Sequence, residues 1–294
     1  DRAAQVLGHV TRLLTSIAKA APDCALGQLA MLSENEHAAL IALAQPAHPV
    51  APDQPPCIAT RFEAVAQATP NEAALINGQT GATLTYAALD QTANGMAQAL
   101  VTAGLAPGDL VALHLPRGFD YVTALLATLK VGAAFMPLDP DQPLPLLQSL
   151  ITRAGAKALI APAASPLRDA VKIHLTPGHA PQKTPPPRPA PDADRLAYVI
   201  HTSGSTGVPK GVRGLTGALS AHADAVKDRY SLTAADRVLH FAGLGFDVAL
   251  EEIIPSLLAG AAVVIRDDAS QSSIPAFLDL IARHQISVLN LPAS

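Results

Sequence analysis

Thr202, Ser203, Gly204, Ser205, Thr206 and Gly207 set four hydroxyls among two glycines, and Pro209, Lys210 and Gly211 follow closely. Glycine admits backbone angles that turn successive N–H groups inward, and such a concavity binds anions. Hydroxyl donors rotate to suit phosphate oxygens, and a lysine adds a point charge. Pro209 fixes one dihedral beside Lys210 and restrains where that charge can go. Just upstream, Tyr198, Val199 and Ile200 make a short aromatic and β-branched run that reads as a buried strand. Strand, hydroxyl-rich loop and lysine together describe a cradle for a polyphosphate.

Two other readings of the loop compete. A Ser/Gly/Thr stretch is commonly a flexible linker, yet a linker needs neither a buried strand before it nor a Pro-Lys-Gly corner after it. The ordinary nucleotide loop, G-x-x-x-x-G-K-[ST], fails on spacing. Counted from Gly204, its second glycine falls on Pro209, and Lys210 is followed by Gly211 instead of a hydroxyl residue. No helix can start cleanly there.

The stretch LAYVIHTSGSTGVPKGV, residues 196–212, resembles the signature of adenylate-forming, AMP-binding enzymes. In detail it is similar to the adenylation domains of non-ribosomal peptide synthetases. His201 departs from the pattern, standing where the family usually has tyrosine, and Thr216 stands where it usually has histidine. The resemblance implies that an amino-acid carboxylate attacks the α-phosphate of ATP and expels pyrophosphate, after which a carrier domain's phosphopantetheine thiol accepts the aminoacyl group. It implies Lys210 as a catalytic residue, with Thr202, Ser203, Gly204, Ser205, Thr206, Gly207 and Lys210 holding the ATP tail. It also implies a magnesium ion, adenine and ribose contacts and a second lysine, all from positions after Ser294. This chain by itself is therefore expected to be inactive or nearly so.

Residues 241–252, FAGLGFDVALEE, resemble the family's pocket-forming strand, turn and helix, which assigns Asp247, Val248 and Glu251 to substrate binding. The family's aspartate meets the substrate's α-ammonium group, and a carboxylate at a helix mouth suits that task because an unpaired partner there is costly. Asp247 can equally be the N-cap of the following helix, and the two roles are compatible. Glu251 lies four residues on, so the two acids share a helical face and repel slightly. A second cation between them would relieve this, which points to a basic side chain on the substrate, such as lysine or ornithine. Glu251 facing solvent or an arginine is the competing reading.

The elements around these residues alternate. Strands are expected at 73–76 and 83–85 about a turn at Asn77-Gly78, then at 109–115, 135–138, 157–160, 238–241, 262–265 and 287–291. Helices are expected at 86–103, 119–131, around 147–151 and 219–226, and at 248–258 and 274–283. Such alternation argues for a layered α/β fold with mostly parallel sheets covered by helices. Leu84-Thr85-Tyr86 with Leu89, and residues 129–140, match further family stretches and read as packing elements. The proline-dense residues 177–191 read as an extended, exposed connection.

Upstream, Val6, Leu7, Val10, Leu13, Leu14 and Ile17 share one helical face, and Ser33 with Glu36 forms a capping box for a second helix. This opening resembles the tail of a condensation domain, although an ordinary pair of amphipathic helices fits too. The expected division is 1–45 as that tail and its connector helices, a proline-rich linker at 46–56, and 57–294 as the N-terminal part of an adenylation domain.

Composition narrows the class. The 294 residues are 49% hydrophobic and 15% charged with a net charge of −4, which fits a globular chain and disfavours a nucleic-acid surface. Cys24 and Cys57 stand far apart without a CxxC pair, so neither a disulfide framework nor a zinc site is indicated. No apolar run spans a membrane, since residues 253–265 are broken by Pro255, Ser256 and Gly260. A cytoplasmic segment of something longer is the expectation, with the amino acid and the carrier and condensation domains as partners. Three alternatives stay open: a stand-alone acyl- or aryl-CoA synthetase, a non-catalytic docking fragment that contacts neighbouring domains or a small helper protein, and a plain α/β domain.

Overall fold

The computed structural model describes residues 2–44, 57–202, 209–266 and 273–291. The chain divides into two units, Asp1–Asp53 and Gln54–Ser294. In the first, helix α1 (Arg2–Lys19) is joined through a one-turn helix at Leu26–Gln28 to α2 (Glu34–Ala44). The capping box forms: the Glu36 N–H donates to Ser33 Oγ at 3.2 Å, and the Glu36 carboxylate accepts from the Ser33 N–H at 2.8 Å. The Ser33 hydroxyl, donating to the Glu36 carboxylate at 2.6 Å, then the Ser33 N–H and His9, hold the Glu36 carboxyl down at about 2. The apolar face of α1 is there as expected, and Val6, Leu7, Val10, Leu14 and Ile17 are exposed.

The second unit opens with α3 (Ile58–Ala68), which the sequence reading did not anticipate, then β1 (Ala73–Asn77), β2 (Thr83–Thr85) and α4 (Tyr86–Thr102). It continues through β3 (Leu110–Leu113), α5 (Phe119–Lys130), β4 (Ala134–Pro137), α6 (Leu144–Ala154), β5 (Ala158–Ile160) and β6 (Ile173–Leu175). After the proline-rich connection come β7 (Leu196–Thr202), β8 (Lys210–Leu215), α7 (Thr216–Arg229), β9 (Arg237–His240), α8 (Val248–Ala259), β10 (Ala262–Ile265) and α9 (Ile274–His284). Strands order as β2-β1-β10-β9 in one sheet and β6-β5-β3-β4-β7-β8 in the other. Pairing is parallel except for β1 with β2 and β7 with β8. The strand expected at 287–291 is reduced to a single bridge between Val238 and Val288.

Alternation of side chains explains the layers. Val111 and Leu113 of β3 join Leu75, Val263, Leu89, Leu125 and Ile253 in one core, so α4, α5 and α8 are buried between the two sheets. Leu110 and Ala112 point the other way and pack with Leu147 and Ile151 of α6. Leu239 and Val264 pack with Leu280 of α9 on the far face of the other sheet. Strands buried on both faces have no polar side to show, which is why they read as short continuous apolar runs.

Two buried polar groups tie the middle layer together. Tyr86 donates its hydroxyl to the Leu257 and Ala261 carbonyls at 3.2 and 2.8 Å. Lys130, wholly buried, is held by Glu63 and by Asp90 at 2.7 Å, and Arg188 of the proline-rich connection donates to both Glu63 oxygens. Lys130 therefore links α3, α4 and α5, the packing role its motif suggested. Among the described residues, no helix is long and apolar enough to cross a membrane.

Candidate functional site

β7 and β8 pair antiparallel, and in the sequence the residues between them are those expected to cradle phosphate. Leu196 to Thr202 alternates buried and partly exposed positions, as a β-branched and aromatic run should. Thr202 is the last residue of β7 and sits opposite Lys210, the first residue of β8. The hairpin thus holds the hydroxyl and the ammonium group at the two mouths of the loop, both exposed. Ser203, Gly204, Ser205, Thr206 and Gly207 lie outside the described residues. That a strand and no helix follows Lys210 agrees with the rejection of the ordinary nucleotide loop.

A cavity of about 400 Å³ opens beside the hairpin. Tyr198, Ile200, His201, Thr202, Pro209 and Val212 line it from the hairpin, Leu146, Leu147 and Leu150 from α6, and Gly245, Phe246 and Asp247 from the turn before α8. Thr202 and Asp247, singled out separately in the sequence, therefore line one cavity, whereas Lys210 is not among its lining residues. Asp247 is exposed and its Oδ1 accepts from the Val248 N–H at 3.0 Å. Its other oxygen has no partner among the described residues, so Asp247 caps the helix and still has an acceptor to offer. Val248 begins α8 but does not line the cavity.

Glu251 does not line the cavity either, although its N–H donates to the Asp247 carbonyl at 3.3 Å. Its Oε1 meets Nε2 of His222, on α7, at 2.8 Å. The partner is a histidine and not the arginine that the competing reading named. Oε2 has no partner among the described residues.

Tyr198 and Gly214 were not foreseen. They face each other across the hairpin, and a Cβ at position 214 would lie 2.1 Å from the tyrosine ring. Only glycine lets the ring lie flat there. The ring stacks obliquely on Phe135 at 5.9 Å. Burial, then the nearby Asp247 carboxylate, pushes the Tyr198 hydroxyl's pKa up. His201, the family departure, has a buried Nδ1 with no partner among the described residues. Burial, then Arg153, pulls its pKa down, so it is held neutral. Thr216, the second departure, donates its hydroxyl to the Arg195 carbonyl at 2.9 Å and fastens the start of α7.

Glu252 was missed as well. It is 1% exposed and accepts from the Phe241 and Ala242 N–H groups, with His240 beside it. Its signal in the sequence was a second acid, next to Glu251, at the start of the apolar run Ile253-Ile254. Among the described residues, no group of three or more His, Cys, Asp or Glu side chains could hold a metal ion.

Residues 62–294 match the family described as AMP-binding enzyme. The isonitrile lipopeptide synthase of Streptomyces coeruleorubidus is 39% identical over 221 residues, which are 73% of this chain and 15% of that protein. The crystal structure of the non-ribosomal peptide synthetase FmoA3 (S1046A) in its AMPPNP-bound form superposes with a TM-score of 0.77 at 25% identity, over 97% of this chain and 31% of that one. The N-terminal subdomain of Klebsiella oxytoca NpsA, in complex with 3-hydroxybenzoyl-AMSN, gives 0.70 at 25% identity, over 83% of this chain and 62% of that one.

Proposed function

The chain belongs to the AMP-binding enzyme family, as the N-terminal part of an adenylation domain of the non-ribosomal peptide synthetase kind, and from that premise we propose an activity for the protein that carries it. It activates an amino acid with ATP, giving aminoacyl-AMP and pyrophosphate. The observation that carries this reading is the single cavity lined by Thr202, Pro209 and Asp247.

The chemistry asks little covalent work of the protein. A substrate carboxylate oxygen attacks the α-phosphorus, the P–O bond to the β-phosphate breaks, and the electron pair leaves with pyrophosphate. Positioning and charge stabilisation carry such a step. Lys210 and the hydroxyl of Thr202, with Ser203, Gly204, Ser205, Thr206 and Gly207 between them, hold the β- and γ-phosphates as charge builds on the leaving group. Asp247 takes the substrate's ammonium group on its free oxygen. Magnesium would neutralise part of the ATP tail's charge; no residue described here is assigned to it.

The substrate's side chain is basic in this proposal. This rests on the four-residue spacing of Asp247 and Glu251; Glu251 gives one carboxylate oxygen to His222 and does not line the cavity, so its other oxygen is the one that would meet the cation. Residues 1–45 are proposed as the tail of a condensation domain with its connector helices, and 46–56 as the linker. A carrier domain bearing phosphopantetheine is the acceptor of the aminoacyl group, and the reaction takes place in the cytoplasm.

Pyrophosphate exchange by the full-length protein, run across the standard amino acids and ornithine, tests both levels. ATP-dependent exchange fastest with lysine or ornithine is expected. Exchange fastest with an aliphatic or acidic amino acid would remove the role given to Glu251. Absence of exchange with every amino acid would remove amino-acid activation and leave the acyl- or aryl-CoA synthetase and the non-catalytic docking fragment.

A further inference from the structure

Where β9 ends, the chain leaves its sheet, and the backbone groups that follow must find other partners. The His240 carbonyl accepts from Arg117 at 3.2 Å, and the Phe241 carbonyl accepts from Arg266 Nε at 3.0 Å. The Phe241 and Ala242 N–H groups both turn to one side chain, Glu252 of α8. Its Oε2 lies 2.8 Å from His240 Nδ1 and 3.0 Å from each of those two nitrogens, and its Oε1 lies 3.1 Å from Ala242 N. Glu252 and His240 are almost fully buried, and His240 Nε2 has no partner among the described residues. A carboxyl group in such a place is expensive unless its bonds are all made.

What this clamp holds is the root of the turn that ends at Asp247. From Ala242 the chain passes Gly243, whose carbonyl accepts from the Phe246 N–H at 3.0 Å, and Leu244, which is buried in the main core. It then reaches Phe246 and Asp247 at the cavity. Glu252 and Asp247 also sit on the same helix, five residues apart, so the clamp closes a short loop: helix, turn and strand end are fastened by one carboxyl group.

We propose that Glu252 is a positioning residue for substrate recognition, holding the 241–247 turn so that the Asp247 carboxylate stands at the cavity wall. This rests on Asp247 as the ammonium partner. The charged and titratable groups facing Glu252 are His240 of β9, Arg117 before α5 and Arg266 after β10, and none of them lines the cavity. Its effect on substrate therefore runs through the turn.

Steady-state exchange kinetics of the full-length protein, with the amino acid that exchanges fastest, test this. Glu252→Ala is expected to raise the amino-acid KM about tenfold or more while the ATP KM changes less than about twofold. Glu252→Gln is expected to stay within about threefold of wild type, because one amide oxygen can keep the bonds made by Oε2. Glu252→Asp, whose shorter arm cannot span both N–H groups, should behave like the alanine variant and serves if that variant does not fold. Asp247→Ala combined with Glu252→Ala should be no worse than Asp247→Ala alone, since both act through one contact. Equal loss of both KM values, a glutamine variant as impaired as alanine, or additive losses would overturn the positioning role while leaving Asp247 in place. An unchanged amino-acid KM in Asp247→Ala would overturn Asp247 itself, and the proposal with it.

Discussion

Replacing Gly214 by alanine tests whether the hairpin geometry shapes the cavity. The new Cβ would lie 2.1–2.6 Å from three atoms of the Tyr198 ring, far inside ordinary contact. Backbone hydrogen bonds between β7 and β8 hold the strand spacing, so the ring must swing by more than about 1 Å to restore contact near 3.5 Å. Forcing an extra carbon into a packed site costs about 1–3 kcal/mol. Loss of the Tyr198–Phe135 aromatic contact adds about 0.5–1.5 kcal/mol. A loss of about 2–4 kcal/mol should lower the thermal midpoint by about 4–16 °C for a domain of this size. The displaced ring would enter the cavity beside Asp247 and raise the amino-acid KM. Gly27→Ala, in the first unit, is the control, since nothing lies within 4 Å of a Cβ there. Calorimetry and exchange kinetics on both variants check this. A Gly214→Ala midpoint within about 1 °C of wild type, with an unchanged KM, would refute the reasoning.

Lys210→Ala should lower the exchange rate by about one to two decades, since hydrogen bonds to charged groups contribute about 1.5–3 kcal/mol each. An unchanged rate would remove Lys210 from the mechanism. Burial lifts the Glu252 carboxyl from 4.5 to about 7, against the opposing pull of the Ala242 and Phe241 N–H groups and of Arg117 and Arg266. Its neutral form therefore suits the fold: this contribution is full below the unfolded value and is lost as pH rises through about 7. The loss amounts to up to about 3 kcal/mol at about 1.4 kcal/mol per pH unit. Buried His240 and half-buried His201 and His114 have lowered values and work in the opposite direction, losing stability as pH falls. Urea unfolding at pH 5.5 and 8 should show Glu252→Gln gaining on wild type as pH rises, and parallel curves would contradict that sign.

The layered fold was legible because the central strands of both sheets are buried on two faces, separated by helices followed by left-handed glycines such as Gly104 after α4 and Gly132 after α5. The sites where strands were mispredicted are those where tertiary context decides. β8 contains Gly211 and Gly214 and two exposed charges, so nothing in its residues reads as a strand; its partner β7 makes it one. The 287–291 run has strand-like residues but only one neighbour to bridge. At the site, loop and Asp247 could be found because their chemistry is local. Tyr198 with Gly214 and Glu252 with Phe241 could not, because each depends on a register or a turn that brings distant positions together.

The most direct test of the central claim is a crystal structure of the protein with a non-hydrolysable aminoacyl-adenylate analogue of its fastest-exchanging amino acid. The ammonium group should lie within about 3.2 Å of an Asp247 oxygen. The phosphate-mimicking group should sit at the end of the β7–β8 hairpin, beside Thr202. A ligand bound elsewhere, or one whose ammonium group avoids Asp247, would contradict the account.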